Sequence, residues 1–313
     1  MSDQLRIIYY HTISNVELEY FPLKATQSVD TFSKQINYLN KRYNIISLNE
    51  AIHLAENHEK FDNHLVITTD DGLKENYTTI APVLSDLGLT FTALVCNNLL
   101  DNKVLMWRNA LFYVNRKTDR TRIEPIMQLA CDHFGIEKPL PKETVLSWSL
   151  RTWPYRLKDD LACFIWNQLF EQSISEYLNS TKPYLTSDQV SELLNNGFSI
   201  GSHSKSHPYF KILNDDEIRL ESIEAANLLE KQFKTSITAF SFPFERPQDS
   251  SFALHAENIL SEKFKVVLGT KDRGSNHKNA QTKWERVSME FDYRFSVINF
   301  HLSPIRERLA TSR

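Results

Sequence analysis

Leu65-Val66-Ile67-Thr68-Thr69-Asp70-Asp71-Gly72 is the stretch of this chain that decides its fold. The first four residues are apolar or β-branched and predict a buried strand, which two carboxylates and a glycine follow at once. A later stretch has the same design, because residues 198–201 predict a strand and Ser202-His203-Ser204-Lys205-Ser206-His207 comes directly after it. In both stretches, polar groups stand at the carboxyl end of a predicted strand.

The chain alternates predicted strands with helical patterns over most of its length. This alternation is typical of βαβ units and a parallel sheet, and a chain of 313 residues is long enough for an α/β barrel. Thr186 and Gln189 form a capping box at the start of one of the helices. The predicted strands are 6–10, 44–47, 65–68, 90–95, 198–201, 237–242, 265–268 and 286–289.

Residues 101–185 break this rhythm. Their apolar residues recur mostly at helical spacing, and the segment contains Pro139, Pro141 and Pro154. We interpret this segment as a mainly helical insertion within a single catalytic domain that spans residues 1–313. Trp107 and Tyr113, near the start of the insertion, either stack on a sugar ring or pack the insertion.

The charge of the chain and its apolar runs limit the classes of protein to which it can belong. Thirty-six basic residues stand against 39 acidic residues, so no basic excess indicates a nucleic-acid partner. No apolar run approaches the ~20 residues of a membrane span. The first residues lack the pattern of a signal peptide, and the three cysteines lack C-x-x-C spacing, so we predict a cytoplasmic protein. The sequence carries no signal for an oligomeric state.

The polar residues collect on one side of the predicted barrel. His11, Asp70, Asp71, His203 and the turn at Pro243 all follow predicted strands. In α/β barrels this rim is where catalytic groups collect. Neighbouring residues of an extended chain point in opposite directions, so one aspartate can bind a metal while the other reaches a water bound to it.

The histidine pair indicates metal chemistry. Four positions of separation place His203 and His207 on one side of the backbone. Two histidines and one aspartate with open coordination positions are a hydrolytic arrangement for Zn²⁺ or a similar divalent ion. After the strand at 237–242, the backbone N–H of Phe244 is a candidate donor to a developing oxyanion, unless this turn is an ordinary strand exit.

Three ordered motifs resemble the polysaccharide deacetylase family, the chitooligosaccharide-deacetylase homology domains of carbohydrate esterase family 4. They are Thr68-Thr69-Asp70-Asp71-Gly72, then Gly201-Ser202-His203-Ser204-Lys205-Ser206-His207, then Ser241-Phe242-Pro243-Phe244. The likeness extends to Tyr10-His11-Thr12 and to Trp284-Glu285-Arg286-Val287. The pattern is most like that of intracellular members associated with surface-polysaccharide biosynthesis. The resemblance implies a distorted (β/α)7-type barrel, here with the helical insertion.

The resemblance also implies roles for individual residues. Asp70 resembles the family's general base, and Phe244 stands where a backbone N–H completes the oxyanion hole. The residues that resemble the metal ligands, usually of zinc, are Asp71, His203 and His207.

Three departures from the family pattern leave alternatives open. Thr69 replaces the usual phenylalanine, and Ser241 stands where an arginine normally pairs with the base. Arg286 either supplies this guanidinium from a later strand or forms a surface ion pair. For the general acid, the late motif offers only His301, His11 is an alternative at the rim, and Asp70 itself can return the proton.

We therefore expect a metal-dependent hydrolase that removes an N-acetyl group from an amino sugar. The substrate would be nucleotide-linked, lipid-linked or an oligosaccharide, within the biosynthesis of a surface polysaccharide. Two alternatives remain: the same chemistry on an N-formyl or O-acetyl group, and a sugar-binding relative without turnover.

Overall fold

The computed structural model describes residues 4–244, 250–270, 283–290 and 302. Strands and helices are numbered along the chain within these residues. The strands are β1 (Arg6–Tyr10), β2 (Thr12–Ile13), β3 (Thr26–Gln27), β4 (Asn44–Ile45), β5 (His64–Thr69), β6 (Thr92–Val95), β7 (Ser199–Ser202), β8 (Ala239–Ser241), β9 (Val266–Gly269), β10 (Lys283–Glu285) and β11 (Val287–Ser288).

Most of the helices are amphipathic and cover the sheet or pack on one another. None of those described is long and apolar enough to cross a bilayer. They are α1 (Val29–Asn40), α2 (Leu48–Glu56), α3 (Ala81–Ser85), α4 (Trp107–Lys117), α5 (Arg120–Phe134), α6 (Val145–Thr152), α7 (Lys158–Leu169), α8 (Ile174–Thr181), α9 (Ser187–Asn195), α10 (Asp215–Arg219), α11 (Ala225–Phe233) and α12 (Ser250–Leu260). Two π-helical turns, Asn76–Ile80 and Leu220–Glu224, precede α3 and α11, and short 3₁₀ turns lie at Leu23–Ala25, Asn97–Asn102, Tyr155–Leu157 and Phe210–Ile212.

The large sheet is parallel throughout its described length. Its strands follow the order β10-β9-β8-β7-β6-β5-β1-β11, and β4 pairs with the beginning of β5. Every residue of β5, β6 and β9 is buried, as expected of parallel strands that are covered on both faces. Because all strands run in one direction, their carboxyl ends lie on one rim.

The two ends of this sheet meet at a single residue. β10 pairs with β9 at one end of the strand order, and β11 pairs with β1 at the other. Only Arg286 separates β10 from β11 in the sequence. Counted as one interrupted strand, they complete a ring of seven strands among the described residues, which confirms the predicted (β/α)7-type barrel.

Gly201 permits a close approach between neighbouring strands. A Cβ atom at this position would lie 2.5 Å from Cδ2 of Leu94 and 3.1 Å from the carbonyl oxygen of Ala239. A side chain here would have to displace that of Leu94 and would crowd the backbone of β8. The glycine keeps the end of β7, and with it His203, close to both neighbours.

The chain divides into two compact units. The barrel unit comprises Met1–Asn15, Lys24–Asp101 and Tyr184–Arg313, and the helical unit comprises Val16–Leu23 and Asn102–Pro183. In the helical unit, α4 packs on α6 and α7, and α5 packs on α7. Trp107 and Tyr113 both have partners within this unit, since Trp107 contacts Trp153 and Tyr113 stacks on Trp166 with 4.6 Å between ring centroids. These contacts favour packing over sugar stacking for both rings.

Candidate metal centre

Three predicted metal ligands meet at the carboxyl-end rim of the barrel. Nε2 of His207 lies 3.1 Å, and Nε2 of His203 lies 3.4 Å, from Oδ1 of Asp71. The ligand atoms all lie within 4.8 Å of one another, and all three side chains are buried. Asp71 follows β5 and the histidines follow β7, with β6 between these two strands.

The spacing of these atoms fits a divalent metal ion. Zinc binds nitrogen and oxygen ligands at about 2.0–2.2 Å, and tetrahedral ligands at that distance stand about 3.3–3.6 Å apart. Oδ1 of Asp71 is buried and accepts no hydrogen bond from any residue that the structure describes. A bound cation would satisfy this oxygen.

The protonation states of the ligands also suit a cation. Nδ1 of His203 donates a hydrogen bond to the carbonyl oxygen of Ser241 at 3.0 Å, which orients the ring so that Nε2 faces Asp71. Burial lowers the pKa of His207 and keeps this imidazole neutral. Burial alone would raise the pKa of Asp71, but the facing imidazoles lower it well below its usual range when they are protonated, and a bound cation would act in the same direction.

The backbone around the ligands adopts the left-handed conformation at several positions. The φ angle is 69° at Asp71, 80° at Ser204, 54° at His207 and 55° at Phe244. Such angles are uncommon outside glycine and concentrate at functional sites. Oγ of Ser204 accepts a hydrogen bond from the backbone N–H of His207 at 2.9 Å, which closes the turn between the two histidines.

Asp70 points to a different partner from Asp71. Its Oδ1 lies 2.7 Å from NH1 of Arg286, and its Oδ2 lies 2.9 Å from NH2, a bidentate pair. Both side chains are buried. Burial raises the pKa of Asp70, but the guanidinium outweighs burial and the net pKa is lowered. The structure thus places Arg286 beside the predicted base rather than in a surface ion pair.

The same guanidinium explains why a serine stands at position 241, where the family normally has an arginine. NH2 of Arg286 donates to Oγ of Ser241 at 2.5 Å, and NH1 donates to Oγ1 of Thr68 at 3.2 Å. A small hydroxyl at position 241 therefore leaves room for an arginine that arrives from the last strand of the ring.

His11 follows β1 on the same rim and pairs with Glu290. Oε1 of Glu290 lies 2.5 Å from Nδ1 of His11 and accepts the backbone N–H of His11 at 2.7 Å. Burial lowers the pKa of His11, but Glu290 and, to a smaller extent, Asp71 and Asp70 outweigh burial and raise it to about 10. His11 is accordingly an imidazolium at neutral pH, whereas His301 lies outside the described residues.

Phe244 ends the turn after β8 beside the histidines. Its ring meets His207 edge-on, with 4.5 Å between ring centroids. This contact brings the third motif against the second, so that each sequence-predicted residue of the described part lies on this rim.

Three supporting residues were missed by the sequence analysis. Glu290 orients His11, as described above. Asn76 accepts a hydrogen bond from Thr69 Oγ1 at 2.6 Å and donates to the carbonyl of His11 at 3.1 Å, which explains the departure at Thr69. The carboxylate of Glu221 accepts hydrogen bonds from two backbone N–H groups in the turn between the histidines. Of the three, only Glu290 stands between two apolar residues in the sequence, Met289 and Phe291, and the other two have no such local signal.

One protein-family model and several solved structures are similar to this chain. The family model described as polysaccharide deacetylase matches residues 157–258, which include the second and third motifs but not the first. A search of curated proteins gives no match.

Solved structures of deacetylases have the same fold. The Streptococcus pyogenes deacetylase PplD in complex with acetate is 16% identical, with a TM-score of 0.59 over 96% of this chain and 99% of that chain. IcaB from Ammonifex degensii is 14% identical, with a TM-score of 0.56 over 96% and 98% of the two chains. A polysaccharide deacetylase from Bacillus cereus is 14% identical, with a TM-score of 0.60 over 96% of this chain and 69% of that chain. The resemblance seen in the motifs is confirmed: residues 157–258 match the polysaccharide deacetylase model, and the chain has the fold of the solved deacetylases.

Proposed function

We propose that this protein is a metal-dependent hydrolase that removes the N-acetyl group from an amino sugar in a glycan or glycan precursor. The observation that carries the proposal is the convergence of Asp71, His203 and His207 beside a second carboxylate, Asp70, that has its own partner. Ligand distances and a donor set of two histidines and one aspartate, which suit zinc, make Zn²⁺ the proposed ion.

A cation held by Asp71, His203 and His207 would supply Lewis-acid activation of a water and of the acetyl carbonyl. Asp70 is the proposed base. Its ionised state at neutral pH, maintained by Arg286, lets it take a proton from the attacking water. The backbone N–H of Phe244 is the proposed donor to the oxyanion, a contribution of about 2.7–4 kcal/mol in comparable sites.

Departure of the amine requires a proton. The carbon–nitrogen bond breaks as the nitrogen is protonated, which yields acetate and the free amine of the sugar. His11 is the proposed acid, because it is protonated at neutral pH and lies on the same rim. Asp70 is the alternative, since it can return the proton that it has taken.

The identity of the acyl group and of the sugar carrier is the finer part of the proposal. The ligand set would serve an N-formyl or an O-acetyl group equally well, and a sugar-binding relative without turnover would keep the same fold. A nucleotide-linked, lipid-linked or oligosaccharide substrate, its role in polysaccharide biosynthesis and the cytoplasmic location stay predictions from the sequence. Incubation with a panel of acylated sugars, scored for released acetate and formate, separates these substrates.

Replacement of the base tests the proposal most directly. In Asp70→Asn we expect release of acetate to fall by about 10²–10⁴-fold while the content of bound metal stays unchanged, because Asp70 is not a ligand. The measurement is acetate release together with elemental analysis of the purified protein. Asp86→Asn, on the exposed end of α3, is the matched control and should retain full activity.

A wild-type protein that binds metal but releases no acyl group from the whole panel would favour the sugar-binding alternative. An Asp70→Asn variant as active as wild type would contradict the assigned base.

A further inference from the structure

The helix behind the histidine turn contains a π-helical turn. α10, the turn Leu220–Glu224 and α11 follow one another without a break, so that one helix runs from 215 to 233 with a wide turn in its middle. A π-helical turn fits one extra residue into the helix, and such turns are frequent at functional sites. Here the turn carries Glu221, whose side chain is only 1% exposed.

Glu221 binds the backbone between the two histidines. Its Oε2 accepts the N–H of Lys205 at 3.1 Å and that of Ser206 at 2.8 Å, and its Oε1 accepts the hydroxyl of Ser206 at 2.7 Å. The backbone carbonyl of Glu221 also accepts the N–H of Lys205, at 2.8 Å. One residue thus provides four hydrogen bonds to the two positions just before His207, three of them from an ionisable carboxyl.

This contact affects the backbone conformation that directs the two histidine side chains towards one carboxylate. His203 and His207 reach one carboxylate only because the backbone turns between them through left-handed residues at 204 and 207. Left-handed backbone at non-glycine residues persists only where the surroundings hold it. A buried carboxylate that receives two adjacent N–H groups is a strong restraint of this kind.

A second π-helical turn has the same arrangement at the other side of the centre. The turn Asn76–Ile80 comes shortly after Asp71, and it carries the fully buried Asn76. The side chain of Asn76 joins the end of β5, at Thr69, to the backbone of His11. Both π-helical turns of the described chain therefore present a buried polar side chain to a segment that carries a predicted site residue.

We propose that Glu221 is a positioning residue of the metal centre: the π-helical turn presents its carboxylate so that it holds residues 203–207 in the conformation that binds the cation. This inference rests on the proposed function, because it requires that the centre binds a divalent metal. It adds a requirement outside the ligand set, namely that metal affinity depends on a glutamate that hydrogen-bonds the turn between the histidines and is not itself a predicted ligand.

The test is metal affinity in the full-length apoprotein, with Co²⁺ as the probe. Glu221→Gln keeps the shape of the side chain and removes its charge. We expect its dissociation constant for Co²⁺ to rise about 10- to 100-fold, the usual effect of losing a supporting partner, with an altered visible absorption of the bound Co²⁺. Glu224→Gln, an exposed position in the same π-helical turn, is the matched control and should bind as wild type.

Thermal unfolding of the apoproteins separates positioning from simple support of the fold. A positioning role predicts a Glu221→Gln apoprotein that unfolds cooperatively near the wild-type temperature yet binds Co²⁺ weakly. Wild-type affinity and an unchanged spectrum in this variant would overturn the inference, while failure of the wild type to bind Co²⁺ would overturn the proposed function as well.

Ser206→Ala decides the matter if Glu221→Gln fails to fold. This variant loses one hydrogen bond to Glu221 and keeps the charge, so we expect the Co²⁺ dissociation constant to rise about 2- to 10-fold. An unchanged constant in Ser206→Ala would then count against the inference.

Discussion

The guanidinium of Arg286 shows how one residue joins several parts of this site. Besides the carboxylate of Asp70, it donates to the hydroxyls of Thr68 and Ser241 and, through Nε, to the carbonyl of Gly269 at 3.2 Å. Its carbon Cζ also lies 4.5 Å from the ring centroid of Tyr9. A fully buried cation is tolerated here because its five N–H groups all donate hydrogen bonds and one face of the group lies over an aromatic ring.

Loss of this guanidinium should cost stability and change the proposed base. In Arg286→Met the carboxylate of Asp70 stays buried without its cation, so we expect the free energy of unfolding to fall by about 3–5 kcal/mol. Burial then raises the pKa of Asp70, and the acid limb of the pH–activity profile should move to higher pH. Urea unfolding and kcat/KM as a function of pH measure the two effects.

The sign of the pH dependence follows from the lowered pKa of Asp70 in the wild type. A lowered carboxyl pKa contributes stability above the unfolded value of about 3.9, and that stability is lost as pH falls through the folded value. The difference between wild type and Arg286→Met should therefore be greatest at neutral pH. The exposed Arg122→Met is the control, and a similar loss in both variants would refute the ion-pair account.

The pair of His11 and Glu290 predicts how the stability and the activity of the protein change at alkaline pH. A pKa raised to about 10 means that the pair stabilises the fold fully below about pH 6.5 and loses this contribution as pH rises through 10. In Glu290→Gln, burial is no longer outweighed by this carboxylate, so the pKa of His11 should fall. If His11 is the acid, the alkaline limb of kcat/KM moves to lower pH.

The measurement is the pH–activity profile of Glu290→Gln beside that of wild type. An alkaline limb that stays in place while overall activity falls would assign the proton to another group, with Asp70 as the remaining candidate among the described residues.

At the scale of elements, the site is built from strand ends and from the helical turns behind them. Strands β1, β5, β7 and β8 deliver His11, the aspartates, the histidines and Ser241 to one rim. The wide turns at 76–80 and 220–224 then bring polar groups from the helices to that rim. Each wide turn contains one residue more than the corresponding stretch of regular α-helix. Without that residue, the side chains of the helix would point in different directions from those seen here.

Asn76 tests the contribution of the first of these turns to stability. Asn76→Ala removes the acceptor of the buried Thr69 hydroxyl and a donor to the partly buried carbonyl of His11. We expect a loss of about 1–3 kcal/mol in the free energy of unfolding, measured in urea. Thr78→Ala, at an exposed position of the same turn, should change it by less than about 0.5 kcal/mol. Equal effects of the two substitutions would contradict the role given to Asn76.

The sequence was a good guide where a signal is local. The β-branched run at 65–68 predicted β5 to within one residue at each end, and the capping box of Thr186 and Gln189 is present at the start of α9. The rim position of the polar residues followed from strand polarity alone. Each of these features depends on a few adjacent residues.

Features that depend on distant contacts were not predicted. The segment 286–289 was predicted as one strand, whereas the structure has β10 and β11 on either side of Arg286, because the two halves pair with different neighbours. The short strands β2 and β3 and both π-helical turns also escaped prediction. Residues 16–23 belong to the helical unit, although their sequence lies far from 102–183.

At the scale of the whole molecule, a cation that binds only the folded protein must stabilise it. At a concentration of Zn²⁺ 100-fold above the dissociation constant the gain is about 2.7 kcal/mol. We therefore expect chelation to lower the melting temperature by about 4 °C and added Zn²⁺ to restore it. Calorimetry with and without chelator measures this shift.

Substitution of a ligand supplies the comparison for this experiment. His207→Gln should abolish the response to Zn²⁺, while His53→Ala, at an exposed position on α2, should leave it intact. A melting temperature of the wild type that ignores both chelator and metal would argue against a resident ion.

The two ends of the sheet meet at Arg286, and this affects the order in which the parts of the barrel fold. Tyr9 pairs with Ser288, so the last strand of the ring must find the first across almost the entire length of the polypeptide. Such pairings form late, since the longest loop has to be closed before they stabilise anything. The carboxylate of Asp70 therefore stays without its counter-charge in nascent or half-folded chains. The chain would then become catalytically active only in the folding step that closes the barrel, and incompletely folded chains would be inactive.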